Sequence, residues 1–241
     1  MINVFRLLMK VIRKKIYKHR MNQDTYLTFL RERGADIGKD VRIFYPEETF
    51  IDDTRAWMLS IGNNVQITSG VRILTHGYEW SVLKGKYGYV LGSCGKVTIG
   101  DNCFIGMNTT ILKGVTIGRD CIIGANSLVN RDIPDGTIAA GNPAKVVMSI
   151  DEYLEKRLQK QIYEAQELYN YYFKRFRREP KEDIFDEFFW LFKERDSDLT
   201  EGQIKKMKLL GNYEESVQLF RNTQPRFRGY EEFLYYLRNQ M

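Results

Sequence analysis

The sequence predicts a mainly β protein, built as a solenoid of short parallel strands between a helical leader and a helical extension. Three observations carry this prediction. Sixteen of the 19 glycines lie between Gly34 and Gly141, whereas 19 of the 32 aromatic residues follow residue 150. An aliphatic residue recurs every six positions within the glycine-rich part. The first 33 residues carry nine lysines and arginines against two acidic residues, so the basic excess is concentrated there.

Composition limits the class of protein. The chain has 241 residues, 43% of them hydrophobic, which suffices for one or two domains with a core. Three cysteines and 13% aromatic residues fit neither a disulfide-stapled module nor a disordered chain. No apolar run reaches the roughly 18 residues of a membrane-spanning helix. We expect three parts: a basic amphipathic leader over 1–33, a β domain over 34–148 and a helical extension over 149–241.

The leader contains a basic amphipathic segment, residues 4–18, VFRLLMKVIRKKIYK. Its apolar residues recur at spacings of three and four, which places them on one face of a helix. A secretory signal needs an unbroken apolar region and a small-residue cleavage site, so their absence predicts a cytoplasmic protein. We favour a helix docked on its own protein or on an oligomer partner. The alternative is peripheral contact with anionic lipid at the inner face of the membrane. No nucleic-acid partner is predicted, because the basic excess ends with the leader.

The six-residue period is the strongest signal in the chain. Its aliphatic positions are Ile61, Ile67, Ile73, then Ile99, Ile105, Ile111, Ile117, Ile123 and Val129. Neither an ordinary helix nor a half-buried strand produces this spacing. One short strand and one turn per hexad give a three-sided coil of about 18 residues, with aliphatic residues stacked inside about 4.8 Å apart. Glycines, with Asn64, Asn102 and Asn126, are expected to supply corners with positive φ. Cys103 and Cys121, one coil apart, are predicted to be small core residues.

Three segments carry a resemblance to a known family: IGNNVQITSGVRILTHGYEW, VTIGDNCFIGMNTTILKGVTIG and AAGNPAK. Over roughly residues 30–148 the chain resembles the hexapeptide-repeat acyltransferases. Within them it is most similar to the maltose and galactoside O-acetyltransferases and to capsule or lipopolysaccharide O-acetyltransferases. The resemblance implies a left-handed parallel β-helix, a homotrimer with sites at subunit interfaces, and acetyl-CoA as co-substrate. No metal is expected, because the zinc enzymes of this architecture need three histidines and the predicted coil has one.

The interruption between Ile73 and Ile99 is predicted to be a loop, and His76 lies at its start. Acyl transfer to a hydroxyl needs a base that titrates near neutrality. The resembling enzymes have their catalytic histidine at the corresponding loop start, which implies that His76 is the general base. Glu79 is the candidate partner for the other ring nitrogen, and a backbone carbonyl is the alternative.

Candidate binding residues flank this loop. Asp52, Asp53, Tyr78 and Trp80 are the candidates for the acceptor, because carboxylates suit sugar hydroxyls and aromatic rings suit the apolar face of a sugar. Corner capping is the alternative for the two aspartates.

The resemblance implies that the coenzyme A groove runs along the following residues: Met107, Ala125, Asn130, Ala140, Gly141 and Lys145. Lys145 corresponds to a basic residue at the 3′-phosphate end, while a second basic position of the galactoside enzymes is Met148 here.

Together these features predict an acetyl-CoA-dependent O-acetyltransferase that acts on a sugar hydroxyl in surface polysaccharide biosynthesis. One alternative is N-acetylation of an amino sugar or a nucleotide sugar. A second is a non-catalytic scaffold that presents the extension to a partner.

The extension is predicted to be helical. Ser149 and Glu152 form a capping box that opens a helix with an apolar face reaching Phe176. Pro180 is expected to begin a second helix, PKEDIFDEFFWLFKER. Weaker helical stretches follow near 201–210, 213–222 and 229–238. We favour a small helical domain with an aromatic core, and the alternative is a module for acceptor recognition or partner docking.

Overall fold

The computed structural model describes residues 18–240. The predicted amphipathic helix over 4–18 lies outside them, apart from Lys18, which begins a 3-10 turn, Lys18–Met21. Helix α1, Gln23–Glu32, follows, and the side chain of Asn22 caps its first turn.

Short strands in three sheets make up the β part. The strands are β1 Asp36–Ile37, β2 Arg42–Ile43, β3 Phe50–Ile51, β4 Leu59–Ile61, β5 Gln66–Ile67, β6 Arg72–Ile73, β7 Val97–Ile99, β8 Phe104–Ile105, β9 Thr110–Ile111, β10 Thr116–Ile117, β11 Ile122–Ile123, β12 Leu128–Val129, β13 Thr137–Ala140 and β14 Lys145–Ser149. The sheet orders are β1-β4-β7-β10, β14-β13-β11-β8-β5-β2 and β12-β9-β6-β3. Each strand from β1 to β9 therefore pairs with the strand three later. The chain visits the three sheets in turn, as a three-sided coil requires.

The strand register stacks the aliphatic residues of the six-residue period. The three stacks are Ile37-Ile61-Ile99-Ile117, Ile43-Ile67-Ile105-Ile123 and Ile51-Ile73-Ile111-Val129. All of these side chains are buried in one hydrophobic core, together with Cys103 and Cys121. The predicted inward stacking is confirmed, whereas the left-handed winding stays a prediction.

The corners of the coil differ from the prediction in one respect. Asn64, Asn102 and Asn126 adopt the predicted positive φ, at 56°, 54° and 57°. Gly70 and Gly114 also adopt it, at 74° and 81°, whereas the glycines that follow the aliphatic residues do not, so for the latter the prediction is wrong. A Cβ on Gly100 would instead lie 2.6 Å from the backbone nitrogen of Arg119 in the next coil. Glycine is required there because neighbouring coils approach too closely for a side chain.

Helix α1 packs against the start of the coil. Tyr26, Leu27 and Leu30 of α1 are buried in the same core as the strands. The Tyr26 hydroxyl accepts a hydrogen bond from the Ile51 backbone N–H at 3.0 Å, and burial raises the pKa of Tyr26 to about 12. At the other end β14 pairs antiparallel with β13 and forms the edge strand of its sheet.

The protein divides into two compact units between Glu152 and Tyr153. The predicted division into three parts stays a prediction.

Helices account for most of the C-terminal region: α3 Ile150–Phe176, α4 Glu201–Met207, α5 Tyr213–Asn222 and α6 Tyr230–Asn239. The capping box is confirmed, since Ser149 Oγ accepts from the Glu152 N–H at 3.1 Å. Within residues 18–240 no helix combines the length and the apolar character needed to cross a membrane.

The predicted helix after Pro180 is wrong. The chain forms two 3-10 turns there, Glu182–Phe185 and Phe189–Leu191. Phe189, Leu191 and Phe192 are all buried, so the segment is covered on more than one side, which one face of an α-helix does not allow. As predicted, aromatic residues dominate the core of this unit, and those that are 0–1% exposed are Tyr169, Phe185, Phe192, Phe220 and Phe233.

Candidate active site

His76 lies at the neck of the loop that interrupts the coil. The loop leaves after β6 and contains helix α2, Trp80–Tyr87. Its two ends pair through an antiparallel bridge between His76 and Cys94. The Gly77 N–H donates to the Ser93 carbonyl at 3.0 Å, and the Gly95 N–H donates to the Thr75 carbonyl at 2.9 Å. The neck therefore fixes the backbone of His76, whose side chain is 20% exposed.

Asp52 is the partner of His76. It follows β3 directly, one coil before β6, and its Oδ2 contacts His76 Nδ1. The same oxygen accepts from the Thr75 hydroxyl at 2.5 Å, while Oδ1 accepts from the Thr54 hydroxyl at 2.7 Å. The Asp52 side chain is only 2% exposed, so the strand ends and these hydrogen bonds hold it in one position.

The charge state of Asp52 defines the tautomer of His76. Burial alone would raise the pKa of Asp52, but hydrogen bonds from Thr75, Thr54 and His76 outweigh burial and hold the pKa well below its usual range. The carboxylate is thus ionised at neutral pH and can only accept. His76 Nδ1 must therefore donate, which leaves Nε2 of the neutral ring as the free base.

Two sequence predictions are corrected by this arrangement. Asp52 was expected to contact the acceptor, but it is buried and its carboxylate is occupied by Thr54, Thr75 and His76. Glu79 was expected to hold His76. Its carboxylate instead contacts Lys113 Nζ and the Ser93 hydroxyl. Glu79 lies only three residues after His76 in the chain, but its carboxylate does not contact His76 Nδ1. The strand register places Asp52 there instead.

Glu79 belongs to the neck of the loop. The Lys113 ammonium and the Ser93 hydroxyl lower the pKa of Glu79 to about 2. Lys113 follows β9 on the next coil, so this ion pair ties the loop to the coil. Sequence reasoning assigned no role of this kind to Lys113, Thr54 or Thr75. Only the Asp-x-Thr spacing of Asp52 and Thr54 gave a local signal, typical of an aspartate that bonds to its own turn.

Tyr78 lies beside His76, and Trp80 lies beside Tyr78. The rings of His76 and Tyr78 meet edge to face with centroids 5.6 Å apart, and the Tyr78 and Trp80 rings are 5.8 Å apart. Tyr78 is 69% exposed and therefore accessible to a ligand. Asp53 is half-buried and its carboxylate lies 3.8 Å from Arg33 Nε, which orients it toward α1.

The residues expected to line the donor groove lie on two different corners of the coil. Met107 follows β8 and Ala125 follows β11. Ile105, Ile123 and Ala139 are paired in register, so Gly141, two residues after Ala139, lies next in the line of Met107 and Ala125. Ala140 is half-buried there, and its β-sheet partner is Lys145, which is exposed. Asn130 follows β12 and so lies at the corner that carries Asp52 and His76.

Comparison with known proteins decides the family. A model of the bacterial transferase hexapeptide, six repeats, matches residues 96–131. Protein CapG of Staphylococcus aureus is 40% identical over 163 residues, which cover 67% of this chain and 91% of that protein. The chain belongs to the hexapeptide-repeat transferase family.

Two further members of the hexapeptide-repeat family are named for their chemistry. The putative acetyltransferase YvoF of Bacillus subtilis is 36% identical over 56% of this chain and 70% of that protein. The galactoside O-acetyltransferase of Escherichia coli is 33% identical over 43% of this chain and 49% of that enzyme. The protein is thus an acyltransferase of the hexapeptide-repeat family.

Proposed function

We propose that the protein transfers an acetyl group from acetyl-CoA to a hydroxyl of a sugar or glycan, in surface polysaccharide biosynthesis. The observation that carries the proposal is the Asp52–His76 pair, whose free Nε2 lies at a loop neck beside the exposed ring of Tyr78. A galactoside is the acceptor named for the Escherichia coli relative, which supports a sugar acceptor here.

In the proposed mechanism, His76 Nε2 accepts the proton of the acceptor hydroxyl as the hydroxyl oxygen attacks the acetyl carbonyl carbon. Asp52 stabilises the resulting imidazolium through Nδ1. Acetyl-CoA supplies the thioester carbonyl, and backbone N–H groups stabilise the oxyanion that develops on it. His76 then returns the proton to the departing thiolate sulfur. The bond formed is an ester C–O bond, the bond broken is the thioester C–S bond, and no covalent enzyme intermediate is needed.

The line of Met107, Ala125 and Gly141 is the proposed donor groove. All three are exposed and two are small, so an extended pantetheine arm could approach the backbone closely. Lys145 is exposed beside Ala140, where it can meet a phosphate as a mobile point charge. We expect a weaker nucleotide contact than in the galactoside enzymes, since Met148 offers no second charge.

We further propose a homotrimer with sites between subunits. His76 and most of the donor groove occupy different corners of one coil, so a neighbouring copy would supply the missing half of each site. The proposed location is cytoplasmic. Peripheral contact of the leader with the inner face of the membrane remains the alternative to its docking on protein.

The direct test is an acceptor panel. The full chain, incubated with acetyl-CoA and either a galactoside or the corresponding amino sugar, should release thiol only with the hydroxyl acceptor. Mass spectrometry of the product should show an added acetyl ester. Faster transfer to the amino group would favour the N-acetyl alternative. Absence of thiol release with every acceptor would contradict the enzyme proposal and favour the scaffold.

A further inference from the structure

Arg195 is a buried cation of the C-terminal unit that has no carboxylate partner among residues 18–240. It is 8% exposed. Its Nε donates to the Thr223 carbonyl at 3.2 Å, and its two terminal nitrogens donate to the carbonyls of Lys193 at 2.5 Å and Trp190 at 2.9 Å. A guanidinium carries five N–H groups, so two remain for another acceptor.

Several other basic side chains of this unit form ion pairs with carboxylates. Pairs with carboxylates form at Lys193–Glu182, Arg157–Glu164, Lys206–Glu187 and Arg238–Glu179. Each of these cations is more exposed than Arg195, the least exposed being Lys193 at 15%. Burial of a charge is costly unless the charge is paired, so Arg195 is the cation with most to gain from an anion.

Arg195 lines a groove between the turn after Arg195 and helices α4 and α5. The groove residues are Arg195, Ser197, Asp198, Leu199, Ile204, Tyr213, Val217, Phe220 and Arg221. The Arg195 guanidinium lies over the Phe220 ring at 4.2 Å, and Lys208 Nζ lies 5.0 Å from the centre of the Tyr213 ring. The groove thus combines two arginines and a neighbouring lysine with one exposed aspartate and an aromatic and aliphatic wall.

This chemistry suits a sugar that carries a carboxylate. A guanidinium binds a carboxylate through two parallel hydrogen bonds, and aromatic rings pack against the apolar face of a sugar. Asp198 can accept hydrogen bonds from sugar hydroxyls. A simple phosphate ion has no sugar hydroxyls to donate to it. A purely apolar partner would leave the two remaining N–H groups of Arg195 without an acceptor.

We propose that this groove binds an acidic glycan, with Arg195 and Arg221 holding the carboxylate of a uronic-acid residue. The inference rests on the proposed function, because it assigns the groove to a distal part of the acceptor chain. The C-terminal unit would then retain a polymeric acceptor while His76 acts on a hydroxyl elsewhere along the polymer.

The test is calorimetric titration of the full chain with an oligomer of galacturonic acid, and separately with a neutral maltose-type oligomer of equal length. The acidic oligomer should bind and the neutral one should not. Arg221→Ala alters an exposed residue and should weaken binding at least about tenfold, the loss expected for one charge-assisted hydrogen bond. Arg195→Lys keeps the charge but loses the planar fork, and should also weaken binding. Arg175→Ala, an exposed arginine of α3 outside the groove, should leave binding unchanged.

The outcomes are separable from those of the proposed function. Acetyl transfer to a free monosaccharide should be the same in Arg221→Ala as in wild type, because the groove is proposed to bind only a distal residue of a polymeric acceptor. Absence of binding by the wild-type chain, equal binding of the neutral oligomer, or preference for inorganic phosphate would each overturn the proposal. If the wild-type chain bound the glycan but showed no acetyl transfer, only the proposed function would be contradicted.

Discussion

His76 and Asp52 are 24 positions apart in the chain, and they meet because each follows a strand of the same sheet on successive coils. The buried, multiply bonded carboxylate keeps Nδ1 protonated and orients the ring. In the proposed mechanism, catalysis therefore depends on a buried residue that orients the base without contacting the substrate.

Asp52→Asn tests this positioning role. The amide can donate to Nδ1 and so favour the wrong tautomer, which should lower kcat for acetyl transfer at least about tenfold. KM for acetyl-CoA should stay unchanged, because Asp52 lies away from the donor groove. Asp53→Asn is the matched control and should retain most activity. Equal losses in the two variants would contradict the role of Asp52.

A pH dependence follows from Glu79. Its folded-state pKa of about 2 is depressed, so the Glu79–Lys113 pair stabilises the loop neck fully above the ordinary carboxyl pKa and is lost as pH falls through about 2. We expect the Gly77 amide to differ in hydrogen-exchange protection between wild type and Glu79→Gln. This difference should stay constant between about pH 7 and pH 5. A difference that vanished within that range would contradict the ion pair.

At the residue scale, the sequence pointed to His76 as the proposed base but not to Asp52 as its partner. His76 could be predicted because it is the one histidine outside the leader and opens the loop. The role of Asp52 depends on the register between Ile51 and Ile73, and an eight-residue step from Ile43 to Ile51 breaks the six-residue period there. Proximity in sequence therefore favoured Glu79.

At the element scale, the coil is specified by aliphatic stacks inside and by backbone contact at the corners. Asn64, Asn102 and Asn126, with Gly70 and Gly114, provide the positive φ, while the glycines that follow the aliphatic residues provide clearance. Both roles place small or turn-forming residues at regular intervals. A period in the sequence therefore predicted the coil correctly but did not distinguish the two roles.

Gly100→Ala tests the clearance. The added methyl would overlap the backbone of Arg119, and the variant should lose about 1–3 kcal/mol of unfolding free energy, as for other overpacked sites. Gly92→Ala is the matched control, since nothing lies within 4 Å of a Cβ there, and it should change stability by less than about 0.5 kcal/mol. Denaturant unfolding measures both. Equal stability of the two variants would refute the clearance role.

The segment after Pro180 shows where periodicity fails. Its aromatic residues recur at helical spacing, yet the chain forms 3-10 turns because the core surrounds the segment on several sides. Tertiary burial overrides local pattern there.

At the scale of the whole molecule, the two halves of the proposed site lie on different corners of one chain. Symmetric assembly would bring His76 of one copy to the donor groove of the next. The sequence predicted this arrangement only through family resemblance, because a single chain carries no record of its neighbours.

Subunit complementation tests the assembly. His76→Ala lacks the base, and Ala125→Trp should block the donor groove, so each variant alone should be inactive. Co-expressed in equal amounts, they should regain about one quarter of wild-type activity, because random mixing leaves about one site in four intact. Activity that stays at background in the mixed oligomer would place the whole site within one chain.

The central claim is that His76 is the general base. The most direct measurement is the rate of acetyl transfer by His76→Ala beside His19→Ala, which removes the other histidine of the chain. We predict a fall of at least about 10²-fold for His76→Ala with the fold intact, and near wild-type transfer for His19→Ala. An unchanged rate for His76→Ala would contradict the account.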